Sequence, residues 1–203
     1  MRRAPDETVC PVEGPKLFVV SSPSGGGKTT LVRELLAAAP GLVRSVSATT
    51  RPRRPGERGG SDYHFVSAKE FARLRARRAL IEWARVHGAW YGTPTASVEP
   101  ALARGRNVVL SVDVQGARQI KRAYGARAVL IFVMPPSFED LKLRLVNRRT
   151  DSPTAIRRRL AAARRELACA RRYDYVVVNH RIPEAVEALK AIVTAERLRV
   201  ARR

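Results

Sequence analysis

The sequence predicts an α/β domain, a parallel sheet with helices on both faces, interrupted by an inserted α+β lobe. Three observations carry this. Short β-branched apolar runs alternate with helical stretches over most of the chain. The first run leads straight into a glycine-rich turn that opens a helix. Between about residues 43 and 98 the alternation stops, and Pro, Gly, Arg and aromatic residues surround one short helix.

The elements follow in order. Residues 1–15 (MRRAPDETVCPVEGP) have no periodic pattern and read as a flexible arm before a domain spanning 16–203. Lys16–Ser22 (KLFVVSS) is a continuous apolar run, as expected of a strand buried on both faces. Gly25, Gly26 and Gly27 follow, then a helix that stops at Ala39 before Pro40-Gly41. The lobe, 43–98, contains a helix over Ala68–Arg78. The core, expected over 16–42 and 99–203, resumes with strands at Asn107–Val112, Ala128–Met134 and Tyr175–Asn179. Helices at Val114–Ala123, Ser137–Arg149, Thr154–Arg172 and Pro183–Arg199 separate or follow them.

Thirty-nine basic against eighteen acidic side chains give a formal charge of +21, which points to anionic partners: nucleotides, nucleic acid or a membrane surface. The excess is lopsided, with 33 Arg and 6 Lys in an alanine-rich chain, so part of it reads as compositional bias spread over solvated faces. Cys10 and Cys169 form no disulfide framework, and no CxxC or Cys/His cluster suggests a metal site. The N-terminus has no signal-peptide pattern, and the longest apolar run, Ala128–Met134, is far too short to span a bilayer. A cytoplasmic protein with no membrane partner is expected.

Ser22–Thr30, SPSGGGKTT, matches the phosphate-binding loop GxxxxGK[ST] except that Ser22 replaces the opening Gly. Glycines let successive N–H groups turn toward a phosphate chain, and the following helix directs its positive end there. Ser22, Pro23, Ser24, Gly25, Gly26, Gly27, Lys28, Thr29 and Thr30 are therefore candidate ATP-binding residues. Lys28 reaches the β- and γ-phosphates, and the Thr29 hydroxyl is the candidate Mg²⁺ ligand.

Ser45–Val66 reads SVSATTRPRRPGERGGSDYHFV. Thr49, Thr50, Arg51, Arg54, Gly56, Glu57, Gly60, Asp62, Tyr63, Phe65 and Val66 stand at the spacings of the signature TTR-x-x-R-x-GE-x-x-G-x-DY-x-FV. Here the chain resembles the guanylate kinases. The similarity continues through Leu80–Trp83, Trp90–Thr93, Val112–Gly116, Pro135–Ser137, the Arg-rich stretch 144–159 and Val178-Asn179, and so covers about residues 16–199.

The resemblance implies a P-loop nucleoside monophosphate kinase fold, with a GMP-binding lobe, a helical lid over about 144–160, and Mg²⁺-dependent transfer from ATP to GMP or dGMP. It assigns Ser47, Arg51, Arg54, Tyr63, Glu82, Tyr91, Thr93 and Asp113 to GMP. Lys28, Arg144, Arg148 and Arg159 are assigned to catalysis, and Asn179 to the adenine side. The chemistry agrees. Guanidinium forks and hydroxyls suit a phosphate. A carboxylate at Glu82 accepts from guanine N1–H and the 2-amino group, and the Ser47 hydroxyl donates to O6. The lid arginines would neutralise charge on a metaphosphate-like transition state. The acceptor is an anionic phosphate oxygen, so no general base is required.

Two positions depart from the family pattern: Ser111 stands where a carboxylate is common, and Arg149 where Gly is common. The first bears on ordering of the GMP site or its Mg²⁺ shell, the second on stiffness of the lid. Two other classes compete with this reading. Guanylate-kinase-like domains also serve as non-catalytic interaction scaffolds, but these have degraded phosphate loops, whereas Gly27-Lys28-Thr29 is intact. A nucleic-acid-binding protein would suit the charge, but no reading motif with interleaved aromatics is present. The expected partners are thus ATP and GMP or dGMP, without a specific nucleic acid, in a monomer or small homo-oligomer.

Overall fold

A computed structural model describes residues 13–146 and 153–200. The chain runs β1 (Leu17–Ser21), α1 (Lys28–Ala38), β2 (Leu42–Arg44), then a lobe of β3 (Ala48–Thr49), β4 (His64–Phe65), α2 (Ala68–Ala76), β5 (Leu80–Val86) and β6 (Ala89–Pro94). It continues with α3 (Glu99–Ala103), β7 (Asn107–Ser111), α4 (Val114–Tyr124), β8 (Ala128–Met134), α5 (Phe138–Val146), α6 (Pro153–Ala168), β9 (Tyr175–Val178) and α7 (Ile182–Arg197).

The core is a five-stranded sheet in the order β2-β7-β1-β8-β9, with every pair parallel. Its centre explains the continuous apolar runs. Side chains of a strand alternate between faces, and here both faces are covered. Phe18 and Val20 of β1 pack with Leu31 and Leu35 of α1 and Leu189 of α7. Leu17 and Val19 turn the other way, onto Ala117 and Ile120 of α4 and Leu102 of α3. Fully burying each large side chain contributes about 1.5–3 kcal/mol, so these two layers anchor the strand ends that carry the site.

Beyond shifts of one or two residues at element ends, sequence and structure differ in three places. The expected core–lobe division at 42/43 falls inside β2, which pairs with β7 from Leu42↔Asn107 to Arg44↔Val109 and so belongs to the core sheet. Its three residues are too few to show a period. At the other end Val98 is buried in the core layer beside α4 rather than in the lobe. The helix expected over Thr154–Arg172 ends at Ala168 and tightens into a 3₁₀ turn over Cys169–Arg172, the usual way a helix satisfies its last carbonyls.

The lobe has its own four-stranded sheet, β4-β3-β6-β5. Its helix α2 is capped by Ser67, whose hydroxyl accepts the Glu70 N–H at 3.1 Å, and it anchors through the buried Phe71. Residues 1–12 of the expected arm lie outside the described residues. The Glu13 N–H donates to the Arg199 carbonyl at 2.9 Å, and its carboxylate pairs with the buried Lys16 ammonium. Among the described residues no helix is long and apolar enough to cross a membrane.

Candidate functional site

The phosphate loop leaves the C-terminal end of β1, where ligands bind in open parallel sheets. Gly25 and Gly27 have φ of +92° and +87°, a region that side-chain-bearing residues rarely adopt. Gly27 has a second reason: a Cβ there would stand 2.7 Å from Asn179 Nδ2. The Gly26 N–H donates to the Pro23 carbonyl at 2.9 Å, and the Asn179 amide donates to the Gly26 carbonyl at 3.2 Å. Ser22 fits where the motif has Gly because Gly26 offers no side chain against it; a Cβ on Gly26 would lie 3.0 Å from Ser22 Oγ. Helix α1 then begins at Lys28 with no side chain capping its first amides.

Lys28 is half-buried and donates to the Val112 carbonyl at 2.7 Å. Burial lowers its pKa, and the carboxylates of Asp113, Glu166 and Glu82 oppose that shift. Thr29 is exposed on the first turn of α1. Among the described residues no group of three or more His, Cys, Asp and Glu could hold a metal by itself. A hydrated Mg²⁺ that takes one protein ligand beside nucleotide phosphates fits here, and the Thr29 hydroxyl is the group that would hold it.

The lobe supplies a different chemistry. Glu82 on β5 is 3% exposed. Thr93 Oγ1 donates to Glu82 Oε1 at 2.7 Å, so the 3.3 Å contact between the Ser47 and Thr93 hydroxyls has Ser47 as donor. Burial, reinforced by Asp113 and opposed by the Thr93 hydrogen bond, pushes the Glu82 carboxyl up to about 7. Room for that carboxylate is made by a missing side chain. A Cβ on Gly116 of α4 would overlap Glu82 Oε2 and lie 3.0 Å from its Cδ. Gly116→Ala therefore gives a signed test. In an ordinary helix interior the change stabilises by about 0.5–1 kcal/mol. Here it should displace Glu82 and raise the KM for GMP about tenfold or more, with the KM for ATP unchanged, if Glu82 has the acceptor-reading role that the family resemblance implies. A variant with a higher Tm and parental GMP kinetics would remove Glu82 from its assigned role.

Arg51 is held as a fork by Glu57, with Nη1 at 3.0 Å and Nη2 at 2.7 Å. Its Nε donates to the Tyr91 hydroxyl at 3.1 Å, and its guanidinium lies over the ring of Tyr63 at 5.5 Å. Glu57 also accepts the Arg54 N–H at 2.8 Å.

A cleft open to solvent gathers Ser22, Ser24 and Lys28 from the phosphate loop and α1, Ser47, Arg54, Tyr63, Glu82 and Tyr91 from the lobe, and also Asp113 and Arg159. Ser111, the departure noted above, lines it too. Gly25, Gly27, Thr30, Arg144 and Asn179 border a second cleft on the other side of the loop. Three expected residues are placed otherwise. Arg51 stands behind the wall formed by Tyr63 and Tyr91. Thr93, fully buried, reaches the cleft through Glu82 and Ser47. Asn179 commits its side-chain amide to the loop, while its backbone carbonyl accepts from Arg144 at 3.3 Å. Arg148, like Arg149, lies outside the described residues. Asp113 caps α4, accepting the Gly116 N–H at 2.9 Å, and keeps a face on the cleft.

Glu166 is a cleft residue that motif reading missed. It accepts the Ser24 N–H at 3.2 Å and faces Lys28; burial pushes its carboxyl up, with the Ser24 bond and Lys28 opposing. A signal existed: it is the single acid in the Arg-rich stretch 153–172.

A parallel sheet with a phosphate loop at its strand ends, facing an inserted lobe across a polar cleft, defines a P-loop kinase of the nucleoside monophosphate type. The guanylate kinase family model matches residues 14–196, and the chain belongs to the guanylate kinase family. It is 50% identical over 187 residues to a guanylate kinase of Rhizobium etli, covering 92% of this chain and 85% of that protein. It is 52% identical over 181 residues to one from Gloeobacter violaceus, covering 89% and 88%. The crystal structure of guanylate kinase from Anaplasma phagocytophilum superposes with a TM-score of 0.79 at 36% identity, over 93% of this chain and 89% of that one.

Proposed function

We propose that this enzyme transfers the γ-phosphate of ATP to GMP, or to dGMP, yielding ADP and GDP, as a cytoplasmic monomer or small homo-oligomer. The observation that carries the reading is the buried hydroxyl–hydroxyl–carboxylate array Ser47, Thr93 and Glu82, which shares one cleft with Lys28 and the phosphate loop. Guanine suits this array. Its N1–H and 2-amino group donate to Glu82, and O6 accepts from Ser47 once that hydroxyl turns from Thr93. Arg54, Tyr63 and Tyr91 face the acceptor phosphate, with Arg51 behind them adding charge.

On the donor side the loop amides and Lys28 hold the β- and γ-phosphates, and Thr29 would hold Mg²⁺. Held there, the ion would supply positive charge to offset that of the nucleotide phosphates. Lys28, turned from the Val112 carbonyl, and Arg159 follow the moving phosphoryl group, while Arg144 and Arg148 close over the donor. Transfer then rests on in-line positioning and charge stabilisation.

Coupled ADP release with ATP·Mg²⁺ and GMP, AMP, CMP or UMP tests the reading: GMP should be preferred strongly, and equal use of AMP overturns it. A pH arm isolates Glu82. Base recognition needs its anion, and with its pKa at about 7 the anionic fraction falls about tenfold between pH 8 and pH 6. Guanosine has no phosphate to titrate in that range. Its inhibition constant against GMP should therefore rise about tenfold over the interval, and a constant value would assign base reading to another group.

A further inference from the structure

We infer that Gln119 is a positioning residue for base recognition: its carboxamide, docked on the free edge of β5, sets the direction of Glu82 and thereby the preference for guanine. The inference rests on the reading of Glu82 as the guanine acceptor.

β5 is the edge strand of the lobe sheet, bonded to β6 on one side. An edge leaves backbone N–H and C=O groups without partners. At Trp83 a side chain from the core helix α4 fills that place. Gln119 Nε2 donates to the Trp83 carbonyl at 2.8 Å, and the Trp83 N–H donates to Gln119 Oε1 at 3.2 Å. This reciprocal pair is what a neighbouring antiparallel strand would make. Residue chemistry is decisive here. A primary amide offers both a donor and an acceptor; Glu has no donor when ionised, Lys no acceptor, and Met neither.

The Trp83 N–H belongs to the peptide unit that leaves Glu82. Holding that unit fixes ψ of Glu82 and so the direction of its side chain. Alternation along the strand then turns Trp83 outward, 37% exposed, and Glu82 inward, 3% exposed. The ladder with β6 holds the other side of the strand only from Glu82 onward, with Glu82 opposite Thr93 and Trp83 opposite Gly92, because the register shifts between Leu80 and Glu82; at that irregular start of the ladder, Gln119 grips the strand from its free edge. Gly116, which makes room for the Glu82 carboxylate, lies three residues before Gln119 and so on the same face of α4. One helix face thus receives the carboxylate and grips the strand that carries it. That helix starts at the capping residue Asp113, itself on the cleft.

Gln119 does not line the cleft, so its loss should appear in acceptor recognition and leave the donor step alone. The test uses Gln119→Met, which keeps length without hydrogen bonding, and Gln119→Glu, which sets an anion against the Trp83 carbonyl. GMP and IMP are compared, since IMP keeps N1–H and O6 but lacks the 2-amino group. Both variants should raise the KM for GMP about tenfold and lower the GMP/IMP ratio of kcat/KM about threefold, because IMP, which keeps N1–H, loses only part of what a misdirected Glu82 costs GMP. The KM for ATP and kcat should stay within about twofold and threefold of the parent, because they report other contacts. In a Glu82→Ala background, Gln119→Met should add less than about twofold to the KM for GMP, since the two residues act as one unit. Folded variants with parental GMP KM and GMP/IMP ratio overturn the inference. So does a full penalty in the Glu82→Ala background, or a loss that moves ATP KM and kcat alike; each would leave Gln119 a general brace. A parent enzyme that treats GMP, IMP and AMP alike overturns the guanine reading of Glu82 itself, which the variants need not be made to show.

Discussion

Lys28→Ala should lower turnover about 10³-fold or more, the scale on which a preorganised cation or donor stabilises a transferring phosphoryl group, while leaving the protein folded. Its ammonium meets the Val112 carbonyl and the fields of Asp113, Glu166 and Glu82. Burial lowers its pKa, so the folded protein holds this cation against a desolvation cost. Removing it exposes a cleft-facing carbonyl to water and leaves the apolar layers on both faces of β1 untouched. The Tm should therefore move by only a few degrees, within the range of about 1 kcal/mol for a chain of this size. Coupled ADP release measures the first effect and thermal unfolding the second. A folded variant with near-parental turnover would mean that the loop does not hold the donor.

Glu82→Gln should lower kcat/KM for GMP by about 10²–10³-fold and narrow the gap between GMP and AMP, because sites built to pair a base's donors reject others steeply. Adenine shows an acceptor at N1 and a donor at C6, the reverse of guanine, so with AMP the parent's carboxylate faces a lone pair. A buried charge left unpaired costs more than the 1–3 kcal/mol of a neutral group. A GMP preference that survives the substitution would shift base reading to Asp113.

The same substitution should stabilise the free protein, and with a definite sign. Glu82 has a folded pKa of about 7 against an ordinary 4.5, so the folded state retains a proton that the unfolded chain releases. The stability of the protonated form is complete below pH 4.5 and is lost as pH rises through 7. Above pH 7 the loss is on the order of 3 kcal/mol. Glutamine keeps the Thr93 bond without the charge. Glu82→Gln should thus melt higher than the parent at pH 8, with the difference nearly gone by about pH 4, below the ordinary carboxyl value. Equal melting at both values would show that the carboxylate is solvated in the free protein.

What the sequence by itself determined is whatever follows from spacing along one element or one loop. Continuous apolar runs at Lys16–Ser22 and Ala128–Met134 read as strands covered on both faces, because a strand solvated on one side would alternate. The loop from Ser22 to Thr30 declared a phosphate site since its glycines and Lys28 act within one turn of chain. The string from Thr49 to Val66 and the match around Glu82 pointed to a guanine nucleotide. Only the tertiary structure decided which side chains meet across elements. Arg51 and Glu57 are six residues apart, yet that the fork sits behind Tyr63 and Tyr91 depends on how β3, β4 and β6 pair. Glu166 reaches Ser24 across 142 residues and Gln119 reaches Trp83 across 36; neither spacing has a period to read. β2 joined the core sheet through pairing with β7, more than sixty residues away. Local spacing records which residues share an element, whereas sheet order and the space left by a missing side chain, as at Gly116, set what each element faces, and these arise only when distant segments pack together.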